Sequence, residues 1–163
     1  MAENPALKRA RKFLEKFDLD LVPYEHEEAT KTSPEAAKAL NVELGQIAKS
    51  ILFRSGDRYG LFVATGDIRI CDKKVRELLG GGRAKIAKPE EVEKITGYRV
   101  GGVCPFDIDK TIPIYIDLSM KRFETVYTSA GTDYSLLPIK VNQLIEVTGG
   151  QFVDIKKEDK TAG

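Results

Sequence analysis

Behind Asn4-Pro5, the apolar residues Leu7, Ala10, Leu14 and Phe17 recur on one helical face. Pro5 suits the first helical position, where its missing N–H costs nothing. The chain therefore opens with an amphipathic helix. Leu19, Leu21, Val22 and Tyr24 then predict a strand. Ser33-Pro34-Glu35 opens a second helix, with Ser33 as its cap and Ala36, Ala37, Ala39 and Leu40 following. Asn41 and Gly45 bracket its end. Residues 46–54 read as a strand through Ile47, Ile51, Leu52 and Phe53. Ser55-Gly56-Asp57 turns the chain, and residues 59–65 return as its partner.

The second half mixes short elements in the same way. Asp72 caps a helix carrying Val75, Leu78 and Leu79, which ends at Gly80-Gly81-Gly82. Residues 84–87 form a short strand. Pro89 starts a helix with Val92 and Ile95 inward and Gly97 as its stop. Residues 111–118 alternate as a strand despite Pro113. Residues 125–129 and 134–139 predict a hairpin around Gly131. A helix holding Val141, Leu144 and Ile145 and a strand at 151–155 close the pattern. Strands and helices alternate without the regularity of a doubly wound sheet. The fold class is α+β, with a strongly curved, barrel-like mixed sheet and helices packed outside.

Length and composition fit a single domain spanning residues 1–163, with a charged tail that frays from about 156. The chain is long enough to bury a core without metals or disulfides. Cys71 and Cys104 lie far apart, so a reduced, cytoplasmic protein is expected. The N-terminus lacks a secretory pattern, and no segment approaches the roughly 18 apolar residues of a membrane span. A net charge of +1 argues against a duplex-DNA binder but leaves room for contact with one RNA end. The basic clusters at Lys8, Arg9, Arg11, Lys12 and Lys16, at Lys73, Lys74 and Arg76, and at Arg83, Lys85 and Lys88 read first as solvated faces.

Two segments carry candidate chemistry. In Thr96-Gly97-Tyr98-Arg99-Val100-Gly101-Gly102-Val103-Cys104-Pro105, paired glycines leave main chain bare and a proline fixes the exit. Such a bend can aim N–H groups at developing negative charge; read alone, it is equally a bulged strand end. Lys49 interrupts an apolar strand and shares a face with Ile47, Ile51 and Phe53. Its ammonium either escapes along its stem or is held at a cleft for a phosphate or carbonyl oxygen. Other patterns are weak. His26 is the only histidine, so no ordinary zinc set exists. No nucleophile elbow occurs, and Gly80-Gly81-Gly82-Arg83 follows a helix, the wrong order for a phosphate loop.

Taken in order, Tyr24-Glu25-His26, Ile47-Ala48-Lys49-Ser50-Ile51-Leu52, residues 96–105 and Tyr127-Thr128-Ser129-Ala130-Gly131 resemble the YbaK/EbsC-type aminoacyl-tRNA deacylases. These proteins are related to the editing domain of bacterial prolyl-tRNA synthetases, and the resemblance runs from about residue 7 to 155. It implies a trans-acting enzyme that cleaves the ester at the 3′ end of a mischarged tRNA, without metal or cofactor. It implies catalytic roles for Lys49, Gly101 and Gly102, and a substrate pocket that includes Tyr24, Ser50, Val103, Cys104, Pro105, Ser129 and Gly131. An aminoacyl-tRNA synthetase partner is left open. The chain departs from the cysteine-editing members, which carry an aspartate where Leu136 stands here, with Asp133 offset by three. Cys104 stands where those members often have serine. Two alternatives remain: a non-catalytic module that holds a tRNA acceptor end or a synthetase, and a thiol-dependent hydrolase using Cys104.

Overall fold

The computed structural model describes residues 4–26 and 32–158. Helix α1 (Pro5–Glu15) starts as predicted, with the Asn4 side chain accepting a hydrogen bond from the Ala6 N–H at 2.8 Å. It buries Leu7, Ala10 and Leu14. The strand expected next shrinks to β1 (Tyr24–Glu25). Asp18 and Asp20 take positive φ, 52° and 56°, which breaks the extended run before it can pair. Helix α2 (Ser33–Leu40) is capped by Thr32 rather than Ser33: the Thr32 hydroxyl accepts from the Glu35 N–H.

Strands β2 (Ile47–Ser55) and β3 (Arg58–Thr65) form the central hairpin. Helix α3 (Asp72–Leu79) follows, with Cys71 in the cap position and Asp72 in the first turn. Strand β4 (Ala84–Ile86) leads to helix α4 (Pro89–Thr96), which Gly97 closes in the left-handed conformation. Strand β5 (Ile114–Asp117) begins immediately after Pro113, shorter than predicted because proline cannot donate within a ladder. The hairpin around Gly131 is present as β6 (Thr125–Thr128) and β7 (Ser135–Lys140). Helix α5 (Val141–Thr148) and β8 (Gln151–Val153) complete the order.

The strands make one mixed sheet in the order β1-β7-β6-β2-β3-β5-β8, with β4 paired to β2 off that path. Its hydrogen bonding does not close into a ring, but the sheet wraps. Ala48, Val63, Ile116, Val126 and Leu137, from five strands, converge on one apolar cluster with Leu7, Ala10 and Leu14 of α1 and Leu144 of α5. The opposite face of the central hairpin places Phe53 and Phe62 against Val75 and Leu79 of α3. The fold is therefore α+β with outer helices, as the pattern predicted. Near the end of the described residues, Lys156 bridges to Ile70, and the Lys157 N–H donates to the Arg69 carbonyl.

Candidate active site

The site begins with a gap in the sheet. From Ala48 to Ser55, β2 is paired with β3 on one flank. On the other flank β6 reaches only Ile47 and Ala48, and β4 only Phe53, Arg54 and Ser55. Residues 49–52 thus have no strand beside them there. The Leu52 carbonyl accepts from the Ala87 N–H on this flank at 2.9 Å. Main-chain direction alternates along a strand, so Ser50, two residues earlier, also points its N–H and carbonyl into the gap.

A cavity of ≈ 200 Å³ occupies the opening. Lys49, Ser50, Ile51 and Leu52 line it from β2, and Ser33 and Ala36 from α2. Val92 of α4 and the loop residues Val100, Gly101 and Val103 add to it, with Tyr127, Ser129 and Leu136 from the β6–β7 hairpin. Most of this lining is apolar. Ser50 is 8% exposed, and its hydroxyl has no hydrogen-bond partner among the described residues. A buried hydroxyl without a partner is costly, so it stands out as a polar point on a mostly apolar wall.

Lys49 was expected to share an inward face with Ile47, Ile51 and Phe53. Ile47 and Phe53 are buried, but Lys49 is exposed. The covered face of β2 ends where the sheet opens, and the side chain borders both this cavity and a second one walled by Thr65, Ile68, Arg69 and Ile70. No ion pair neutralises its ammonium among the described residues.

The loop at residues 96–105 is fixed at its base. The Tyr98 ring is fully buried, and its hydroxyl donates to the Phe106 carbonyl at 2.7 Å. The Thr96 hydroxyl donates to the Val92 carbonyl and accepts from the Tyr98 N–H. Arg9 of α1 lies over the Tyr98 ring at 4.3 Å and donates to the Thr96 carbonyl. Burial of Tyr98 pushes its hydroxyl pKa far up, so it stays neutral. Above this base Gly101 takes φ 99° and turns its main chain to the cavity. The N–H groups of Gly101 and Val103 have no backbone partner among the described residues.

Other predicted residues sit elsewhere. The Gly102 N–H donates to the Arg99 carbonyl at 2.9 Å, so it is engaged in the turn, and Gly102 does not line the cavity. Gly131 also lies outside it, with φ 101° and its backbone against Ala6 of α1. Cys104 and Pro105 are buried away from the cavity. Cys104 is 0% exposed, and burial pushes its thiol up to about 11. A thiol so placed is a core group, which removes the basis for a Cys104 nucleophile. Tyr24 is set beside the site: it pairs in register with Leu136, and burial and then Tyr127 raise its hydroxyl pKa. Its ring is 5.6 Å from that of His26.

The apolar wall from Ala36, Ile86, Ala87 and Val92 was not legible in the sequence, because three separate elements supply it. The small residues of α2, Ala36 and Ala37, were the available signal of close helix–strand approach. Among the described residues no group of three His, Cys, Asp or Glu side chains comes together, and no helix is long and apolar enough to cross a membrane.

Comparison with known proteins gives a consistent answer. The aminoacyl-tRNA editing domain family matches residues 27–147. The uncharacterised protein YwhH of Bacillus subtilis is 35% identical over 94% of this chain and 98% of its own. A proline–tRNA ligase of Bacillus pumilus is 31% identical over 80% of this chain, which spans only 23% of that longer protein. A solved structure described as a candidate trans-editing enzyme for prolyl tRNA synthetase superposes with a TM-score of 0.88 at 32% identity, covering 96% of this chain and 100% of that one.

Proposed function

Because this chain belongs to the aminoacyl-tRNA editing domain family, we propose that it is a free-standing deacylase that hydrolyses the ester between a wrong amino acid and the 3′ end of its tRNA. One observation carries the chemistry: Lys49 and Gly101, from separate elements, line the same small cavity. The cavity takes the aminoacyl group, and the RNA end remains outside it. Lys49, exposed at the border, holds the terminal phosphate or the ester region by charge.

Hydrolysis adds water to the ester carbonyl. The carbonyl oxygen becomes an oxyanion, the bond to the ribose oxygen breaks, and that oxygen takes a proton. Free amino acid and free tRNA leave. An ester is already an activated acyl group, so positioning and charge stabilisation carry the rate rather than a strong nucleophile. The Gly101 and Val103 N–H groups are the donors for the oxyanion, each worth roughly 3 kcal/mol in the transition state. Of the N–H groups from Gly101 to Val103 expected from sequence, that of Gly102 already has a partner, the Arg99 carbonyl. The neighbouring ribose hydroxyl of the tRNA activates the water or relays its proton, a role for which no protein base is needed. Ser50 faces the aminoacyl group with its hydroxyl and open main chain.

The test is single-turnover deacylation by the full chain across a panel of mischarged tRNAs, beside a tRNA-binding assay. Release of amino acid from at least one member supports the reading. Tight binding with no ester cleavage on any member assigns a binding module instead.

A further inference from the structure

Helix α1 lies outside residues 27–147, the stretch that matches the editing-domain family. Yet it carries the chain's largest cluster of cations. Residues 5–16 hold five cations, Lys8, Arg9, Arg11, Lys12 and Lys16, and one acid, Glu15. That is a net +4 in a chain whose formal net charge is +1, so the remainder is acidic.

These cations divide into two groups. Arg9 turns inward, paired with Asp107 and stacked on Tyr98. Arg11 lies 3.9 Å from Glu15. Lys8, Lys12 and Lys16 are exposed and recur every four residues, which sets them about 6 Å apart in one row. They line a groove whose only acid among the described residues, Asp107, is already paired with Arg9. The groove shares Pro5 and Arg9 with a cleft walled by Arg99, Val100 and Gly102, and Val100 borders the Lys49 cavity as well. The cavity, the cleft and the lysine row are therefore neighbours on the surface, and the cleft between them also carries Glu93 and Asp133.

We infer that α1 is the RNA-docking element: the phosphodiester backbone of the tRNA acceptor end lies along Lys8, Lys12 and Lys16 while its terminal aminoacyl group enters the Lys49 cavity. The inference rests on the deacylase reading for the orientation of the tRNA. Its physical basis is supply of affinity. Outside residues 5–16 this sequence is net acidic, so the lysine row is the cationic contact it offers to an RNA backbone.

The test compares the wild-type full chain with a triple variant, Lys8→Gln, Lys12→Gln and Lys16→Gln, and a charge-preserving triple, Lys8→Arg, Lys12→Arg and Lys16→Arg. Binding of uncharged tRNA is measured between about 50 and 200 mM salt, with circular dichroism as the check on folding. The Gln triple should lose about tenfold or more in affinity at low salt, and its slope of log affinity against log salt should flatten by about two. The Arg triple should match wild type. Deacylation of a short aminoacylated CCA oligonucleotide should be the same in all three. An unchanged tRNA affinity and slope in the Gln triple would overturn the inference, as would an equal loss on the short oligonucleotide. A wild-type chain that binds tRNA through these lysines but cleaves no ester would leave this inference standing and overturn the enzymatic reading alone.

Discussion

Gly102 packs against Gly131 so closely that a methyl group at Gly102 would lie 2.4 Å from the Gly131 carbonyl oxygen. Gly131 in turn meets the backbone of Ala6, where a methyl group would lie 2.7 Å from the carbonyl. Three main chains, from α1, the hairpin and the loop at residues 96–105, are thus stacked without side chains between them. This stack holds the cavity-lining Gly101 in place. Gly102→Ala should cost about 1–3 kcal/mol through overpacking and lower deacylation by shifting Gly101. Thermal unfolding checks the first part; an unchanged melting temperature would mean the stack is loose.

Ser50→Ala removes a buried hydroxyl that has no hydrogen-bond partner among the described residues. Stability should stay level or rise by up to about 1 kcal/mol, while kcat/KM for deacylation falls about tenfold. Opposite movement of the two quantities marks a group kept for its ligand. Activity unchanged in the variant would remove Ser50 from the substrate contacts.

Ala36 borders the cavity and is 2% exposed. Ala36→Leu fills part of the space and should reduce deacylation most for the bulkier aminoacyl groups, leaving the smallest least affected. A uniform loss across the panel would place the aminoacyl group elsewhere.

The Cys104 thiol is raised by burial to about 11 from an ordinary value of 9.0. The folded state therefore keeps a proton that the unfolded chain releases between those values. Stability from this group is full below pH 9 and is lost as pH rises toward 11, on the order of 3 kcal/mol at most. Urea unfolding of wild type and Cys104→Ala across that window should show the wild type losing more. At pH 8 a maleimide should label the half-buried Cys71 well before Cys104. Labelling of both at one rate, or loss of deacylation in Cys104→Ala with the fold intact, would restore a role for the thiol.

Periodicity made most of the fold legible. The helix behind Asn4-Pro5, the hairpin at β2–β3 and the turn at Gly131 all follow local rules of capping and alternation. Local rules failed where tertiary structure intervened. Lys49 read as inward because alternation assumes a sheet covered on that face, and the missing strand beside residues 49–52 is a pairing fact no window of sequence contains. Gly102 and Gly131 read as site residues because a glycine that faces a ligand and a glycine that faces another backbone leave the same mark in sequence. The motif located the loop; only the hydrogen bond from Gly102 to Arg99 separated its presented main chain from its engaged main chain.

The most direct measurement is single-turnover deacylation by Lys49→Ala on whichever mischarged tRNA the wild type cleaves, with melting temperature recorded beside it. The account predicts a loss of about 100-fold or more with melting unchanged, since the Lys49 side chain is exposed and has no partner among the described residues. Cleavage within a few-fold of wild type would contradict it.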